Sequence, residues 1–168
     1  HIKEVGFELY QSMLEEAITS LKAGISEPVA DRWSPQITLG MPVLIPEEYV
    51  ADLSVRLGLY RRVASVEDEQ EIEAFGAELV DRFGPLPEEA KHLLQIVAIK
   101  LLCRRANVER IDTGTKGAVL TFRDNTFANP EGLLRYIAKQ APIAKVRPDM
   151  KVVFLDDWVK PEQRLKGT

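Results

Sequence analysis

The hydrophobic period of this chain changes at about Asn107, and that change limits the possible folds more than any other feature. From Leu53 to Ala106 apolar residues recur every three to four positions, the repeat of helices with one buried stripe. From Val108 the next apolar residues, among them Ile111, Val119 and Phe122, are mostly β-branched or aromatic and fall in short runs, as strands require. Helices therefore come first and a small antiparallel sheet late. The predicted class is α+β, with several helices around one central buried helix and the sheet in the C-terminal half. The 168 residues, 45% of them hydrophobic, suffice for a core. A chain of this size buries roughly 70% of its unfolded surface, so it needs no metal or disulfide staple.

Local signals place the elements. Tyr10, Met13, Leu14, Ala17, Ile18 and Leu21 predict a first amphipathic helix that ends at Gly24. Pro28, Pro35, Pro42 and Pro46 then punctuate a loop-rich stretch in which Ile37 to Ile45 is the only extended candidate, and Pro42 restricts it to an edge or a bulge. Asp52 or Ser54 caps a helix over Leu53 to Ala64. Ser65-x-x-Asp68 has the form of a capping box for a helix whose seam is Ile72, Phe75, Leu79 and Phe83, stopped by Gly84 and Pro85. Pro87, Glu88 and Glu89 open the next helix and Asn107 stops it; its apolar residues predict the central, most buried helix. Val108 to Asp112 and Ala118 to Arg123 form a hairpin around Thr113 to Gly117, and Asn129 caps a short helix at Pro130. Met150 to Leu155 completes the sheet.

Most catalytic chemistries are excluded by what is missing. No G-x-x-x-x-G-K-[ST] and no G-x-G-x-x-G occurs, so no glycine cradle for phosphates is encoded here. No serine sits in G-x-S-x-G, and the histidines are His1 and His92, the latter read as structural. The single cysteine, Cys103, excludes an intramolecular disulfide and multi-cysteine zinc sites; its apolar surroundings predict a buried thiol rather than a nucleophile. Gly114-Thr115-Lys116-Gly117 matches a nucleic-acid-clamping G-x-x-G but joins two strands, which makes it a hairpin turn. Low cysteine content suits a cytoplasmic protein, and no run is long and apolar enough for a membrane span. The balance of 22 basic against 26 acidic residues argues against a dedicated nucleic-acid coat.

One constellation points to binding. On the helix from Ser65 to Gly84, residues Glu67, Glu71, Glu78 and Asp81 fall in one sector opposite the apolar seam. Glu67 and Glu71 suit the positive end of the helix dipole. Glu78 and Asp81 lie in the last two turns, where negative charge is unfavourable by a few tenths of a kcal/mol or more, so a basic partner is expected to offset them. Arg82 is the local cation. The alternative is an accessory nucleic-acid surface made of Arg56, Arg61, Lys100, Arg104 and Arg105.

Three segments carry a resemblance: Gly6-Phe7-Glu8-Leu9-Tyr10 with Met13-Leu14, Arg56-Leu57-Gly58-Leu59-Tyr60-Arg61-Arg62-Val63-Ala64-Ser65, and Glu78-Leu79-Val80-Asp81-Arg82-Phe83-Gly84-Pro85-Leu86-Pro87. Together they resemble the C-terminal domain of the Mfd family, the bacterial transcription-repair coupling factors. The resemblance implies a non-enzymatic regulatory domain of an ATP-dependent DNA translocase. The parent would displace stalled RNA polymerase, bind duplex DNA and recruit UvrA, with ATP and magnesium held in an upstream motor and no cofactor here. Residues 1–25 would be the helix leading from that motor, and 26–168 the regulatory domain. The resemblance further implies that this domain masks the N-terminal UvrA-binding module through an acidic surface at Glu78 and Asp81, with Glu71 and Arg82 beside them. The start at His1 without an initiator Met suits a piece of a longer polypeptide, and the end at Thr168 leaves only a stub of the fuller C-terminal helix expected of the family.

Overall fold

Asp52 opens α1 (Leu53–Ala64) by accepting the Val55 amide at 2.9 Å, which settles the choice between Asp52 and Ser54 as cap. The structure, a computed structural model, describes residues 33–41 and 43–168; the helix expected over Val5 to Ala23 lies outside them. The described residues form two compact units, one of 43–97 and the other of 33–41 with 98–168.

In the first unit, Leu59, Tyr60 and Val63 of α1 are buried together with Ile72, Phe75 and Leu79 of α2 (Glu69–Phe83). The preceding loop is tied to α1 at two points. The Ile45 amide donates to the Tyr60 hydroxyl at 2.7 Å, and Arg56 Nη1 donates to the Val50 carbonyl at 2.6 Å. Gly84, at φ +89°, ends α2 in a conformation that side-chain-bearing residues seldom adopt. α3 (Glu88–Ala106) begins in this unit, and Gly76 of α2 has no side chain to obstruct its Leu94. Ala90, Leu93, Ile96 and Val97 are buried, followed by Lys100, Leu101 and Cys103, whereas Leu102 is 60% exposed. The helix expected to be central and most buried does hold more buried residues than α1 or α2, while Lys91, Gln95, Leu102 and Arg105 on its other side are exposed.

The second unit contains a five-stranded sheet in the order β1-β2-β3-β5-β4, from β1 (Gln36–Thr38), β2 (Val108–Gly114), β3 (Gly117–Phe122), β4 (Ala144–Val146) and β5 (Val152–Leu155). The sheet is mixed rather than purely antiparallel, since β1 pairs parallel with β2 and the other pairs are antiparallel. Register places Ile37, Ile111, Leu120, Val152 and Val146 in one row across all five strands. Val108 and Ile111 are both buried although three residues apart, because the register shifts between Val108 and Arg110. The extra residue returns the next side chain to the same face.

Asn107 joins α3 to β2 in the left-handed region at φ +61°, and its Nδ2 donates to the carbonyls of Arg123 at 3.0 Å and Thr126 at 2.6 Å. Asn129 caps α4 (Pro130–Lys139) by accepting the Gly132 amide at 2.9 Å. The segment after Trp158, expected as a stub, folds into α5 (Pro161–Gly167). There Arg164 donates through Nε to the Trp158 carbonyl at 3.2 Å and through Nη1 to the Leu39 carbonyl at 3.1 Å.

Candidate partner interface

The expected acidic stripe divides into four residues with different surroundings. Ser65 does not open α2. It ends α1, where its hydroxyl donates to the Arg62 carbonyl at 2.8 Å, and the cap of α2 is Asp68, which accepts the Glu71 amide at 2.8 Å. Glu71 in turn accepts the Glu67 amide at 2.8 Å, so its carboxylate belongs to the helix start. Glu67 precedes the cap and is not on the helix.

At the other end of α2, Glu78 receives both terminal nitrogens of Arg62 at 2.7 Å and Arg82 Nη1 at 2.8 Å. The hydrogen bonds from Arg62, then those from Arg82, hold the Glu78 carboxyl down at about 2. The same carboxylate raises the Arg62 guanidinium. Each guanidinium also lies against a ring, Arg62 at 5.5 Å from the centroid of Phe75 and Arg82 at 4.9 Å from that of Phe83. The unfavourable dipole at this helix end is therefore offset within the molecule. Asp81 is exposed, one residue before Arg82, and has no ion-pair partner among the described residues.

Tyr49 fixes the end of the helix. Its hydroxyl lies 2.9 Å from the Leu79 carbonyl and 2.7 Å from the Gly84 carbonyl, the latter just past the helix end, and its ring meets Phe83 edge-on at 5.8 Å. Neither Tyr49 nor Arg62 was expected at this site. Arg62 is one of three arginines in α1, with Arg56 and Arg61, and its partner is 16 residues away on another helix. Only its position in the last turn of α1, just before the link to α2, hinted at the pairing.

The residues of the alternative cationic surface differ in exposure. Lys100 is 5% exposed, Arg104 Nε is buried, and Arg56 is engaged with the Val50 carbonyl, which leaves Arg61 and Arg105 exposed. Cys103 is buried and its thiol is pushed up to about 11 by that burial, as expected of a structural cysteine. Thr115 and Lys116 form the tip of the β2–β3 hairpin, so the G-x-x-G is a turn. Among the described residues no set of histidine, cysteine and carboxylate side chains is placed to hold a metal, and no helix is long and apolar enough to cross a membrane.

The fold superimposes on the crystal structure of a C-terminal domain of transcription-repair coupling factor with a TM-score of 0.66 at 18% identity, covering 82% of this chain and 90% of that one. The sequence model of the TRCF domain matches residues 39–133, more than half of the chain. The chain belongs to the TRCF domain family, in agreement with the resemblance seen in its sequence. It is 44% identical over 160 residues to the transcription-repair-coupling factor of Rickettsia bellii, covering 94% of this chain and 14% of that protein. It is 36% identical over 168 residues to that of Haemophilus influenzae, covering 98% of this chain and 15% of that protein. With the Escherichia coli protein the identity is 32% over 167 residues, covering 98% and 14%. The chain thus spans about one-seventh of the length of these curated relatives.

Proposed function

We propose that this domain is the regulatory C-terminal part of an ATP-dependent DNA translocase that displaces stalled RNA polymerase and recruits UvrA, and that it masks the N-terminal UvrA-binding module of the same protein. Membership in the TRCF domain family supports the parent role. The observation that supports the docking site is the exposed Asp81 carboxylate, set beside the Arg62–Glu78–Arg82 cluster on a helix end held by Tyr49. In this reading Asp81 supplies the open negative charge. Glu78 acts mainly by holding Arg62 and Arg82 in place, so a basic partner surface meets a fixed arrangement and loses little entropy on binding. Masking then weakens UvrA binding in proportion to the fraction of time the domain is closed.

Titration of the separately expressed UvrA-binding module with this domain tests the proposal. Association should appear at low salt and weaken as salt rises, and Asp81→Lys should weaken it about tenfold or more, the scale of one lost and reversed charge pair. No association at low salt, or an unchanged affinity for Asp81→Lys, overturns it.

A further inference from the structure

A second surface lies in the sheet-containing unit, at the free edge formed by β4. Strand β4 is last in the sheet order, and its pairing direction can be read from its neighbours. The Leu155 amide donates to the Ile143 carbonyl at 2.7 Å, and the Arg147 amide donates to the Lys151 carbonyl at 2.8 Å. Backbone groups alternate sides along a strand, so Ile143, Lys145 and Arg147 turn toward β5 while Ala144 and Val146 turn outward. The Ala144 amide goes to the Gln140 carbonyl. The Val146 amide and carbonyl and the Ala144 carbonyl have no backbone partner among the described residues.

Charge and apolar exposure concentrate around the same edge. Between Arg135 and Lys151 there are five basic residues and one acidic one, in a chain whose net charge is −4. Arg135 is paired with Glu131 and Arg147 with Asp149, whereas the ammonium groups of Lys139, Lys145 and Lys151 have no ion pair among the described residues. α4 packs against β4, yet it has no fully buried residue: Leu134 is 61% and Tyr136 49% exposed, and Val146 on the edge is 38% exposed. Pro142, Pro148 and the three-residue length of β4 discourage indiscriminate edge pairing. A partner that does pair needs a short match and complementary charge.

We propose that the β4 edge is a docking site for an extended acidic segment of another polypeptide, in which carboxylates alternate with apolar residues and the backbone adds to the sheet beside Val146. The incoming strand would donate to and accept from Val146. Its apolar side chains would cover Val146 and the exposed side of α4, and its carboxylates would meet Lys139, Lys145 and Lys151. A nucleic acid would use the lysines but neither the open backbone nor the exposed apolar residues.

The test uses the isotopically labelled 168-residue chain and three probes: a synthetic nonapeptide alternating glutamate with valine, the same peptide with lysine for glutamate, and a short DNA duplex. The acidic peptide should shift the Ala144 to Val146 resonances and slow hydrogen exchange at the Val146 amide. Lys145→Glu should weaken its binding about tenfold or more. Val146→Pro should abolish it, since that amide faces outward and its loss costs the sheet no ladder bond. If Val146→Pro disturbs folding, N-methylation of alternate peptide residues replaces it: methylation on the face toward Val146 should abolish binding and methylation on the other face should not. Equal binding of the lysine peptide, binding indifferent to Val146→Pro or to the methylated face, absence of any shift at Val146, or binding of the duplex alone each overturns the proposal.

Discussion

Glu78 shows how one carboxylate can be fixed by groups from two helices. Its folded-state value of about 2 lies below the ordinary 4.5, so the favourable effect of the cluster is complete above that ordinary value and is lost as pH falls from 4.5 through about 2. Glu78→Gln should lower the melting temperature at neutral pH, and the gap from the parent protein should close as the pH approaches 2. A gap that is the same at both ends would show that Arg62 and Arg82 do not hold this carboxylate. Gly117 is constrained by geometry rather than charge. It adopts φ +117°, and the Phe154 carbonyl occupies the space a Cβ would need. Gly117→Ala should therefore cost at least about 2 kcal/mol in urea unfolding, from strain combined with displacement of β5.

Among the elements, α5 is small but well anchored. Trp158 and Leu165 are each 7% exposed, Gly167 sits against the Trp158 ring, and Arg164 ties the helix to the carbonyls of Trp158 and Leu39. β1 has only three residues in the ladder, with one added tie from the Thr113 hydroxyl to the Thr38 carbonyl at 2.6 Å. Arg164→Met should cost about 2 kcal/mol, the scale of hydrogen bonds from a charged donor, and should speed amide exchange in β1 before that in β3. Unchanged exchange in β1 would show that the helix does not restrain that edge. Element boundaries were legible where the determining groups are local: Asp52 before α1, Gly84 after α2, and Asn129-Pro130 before α4 each act within one turn of the chain. β4 was missed because three residues carry too little pattern, and the cap of α2 was placed three residues early because Ser65 and Asp68 are both good caps.

For the whole molecule, the net charge of −4 conceals two regions of opposite sign. Acid gathers on α2 and base between Arg135 and Lys151, which is why the overall balance said little about partners. Cys103 offers a probe of the folded core, since it is the only cysteine, is buried, and has a thiol pushed up to about 11. Its alkylation should be slow in the native protein and rise with denaturant in parallel with unfolding; rapid native labelling would mean that this part of α3 opens on its own. The sequence by itself determined the α+β class, most helix limits, the β2–β3 hairpin, the buried state of Cys103 and the family, because periodicity, caps and turn residues act over a few positions and long matching segments persist. The tertiary structure alone decided that β1 runs parallel to β2, that a register shift turns Val108 and Ile111 to one face, that Arg62 neutralises Glu78, and that Val146 is left open at an edge. Each of those depends on groups far apart in the chain being brought within hydrogen-bonding or packing distance, and no local pattern of residues records such a meeting.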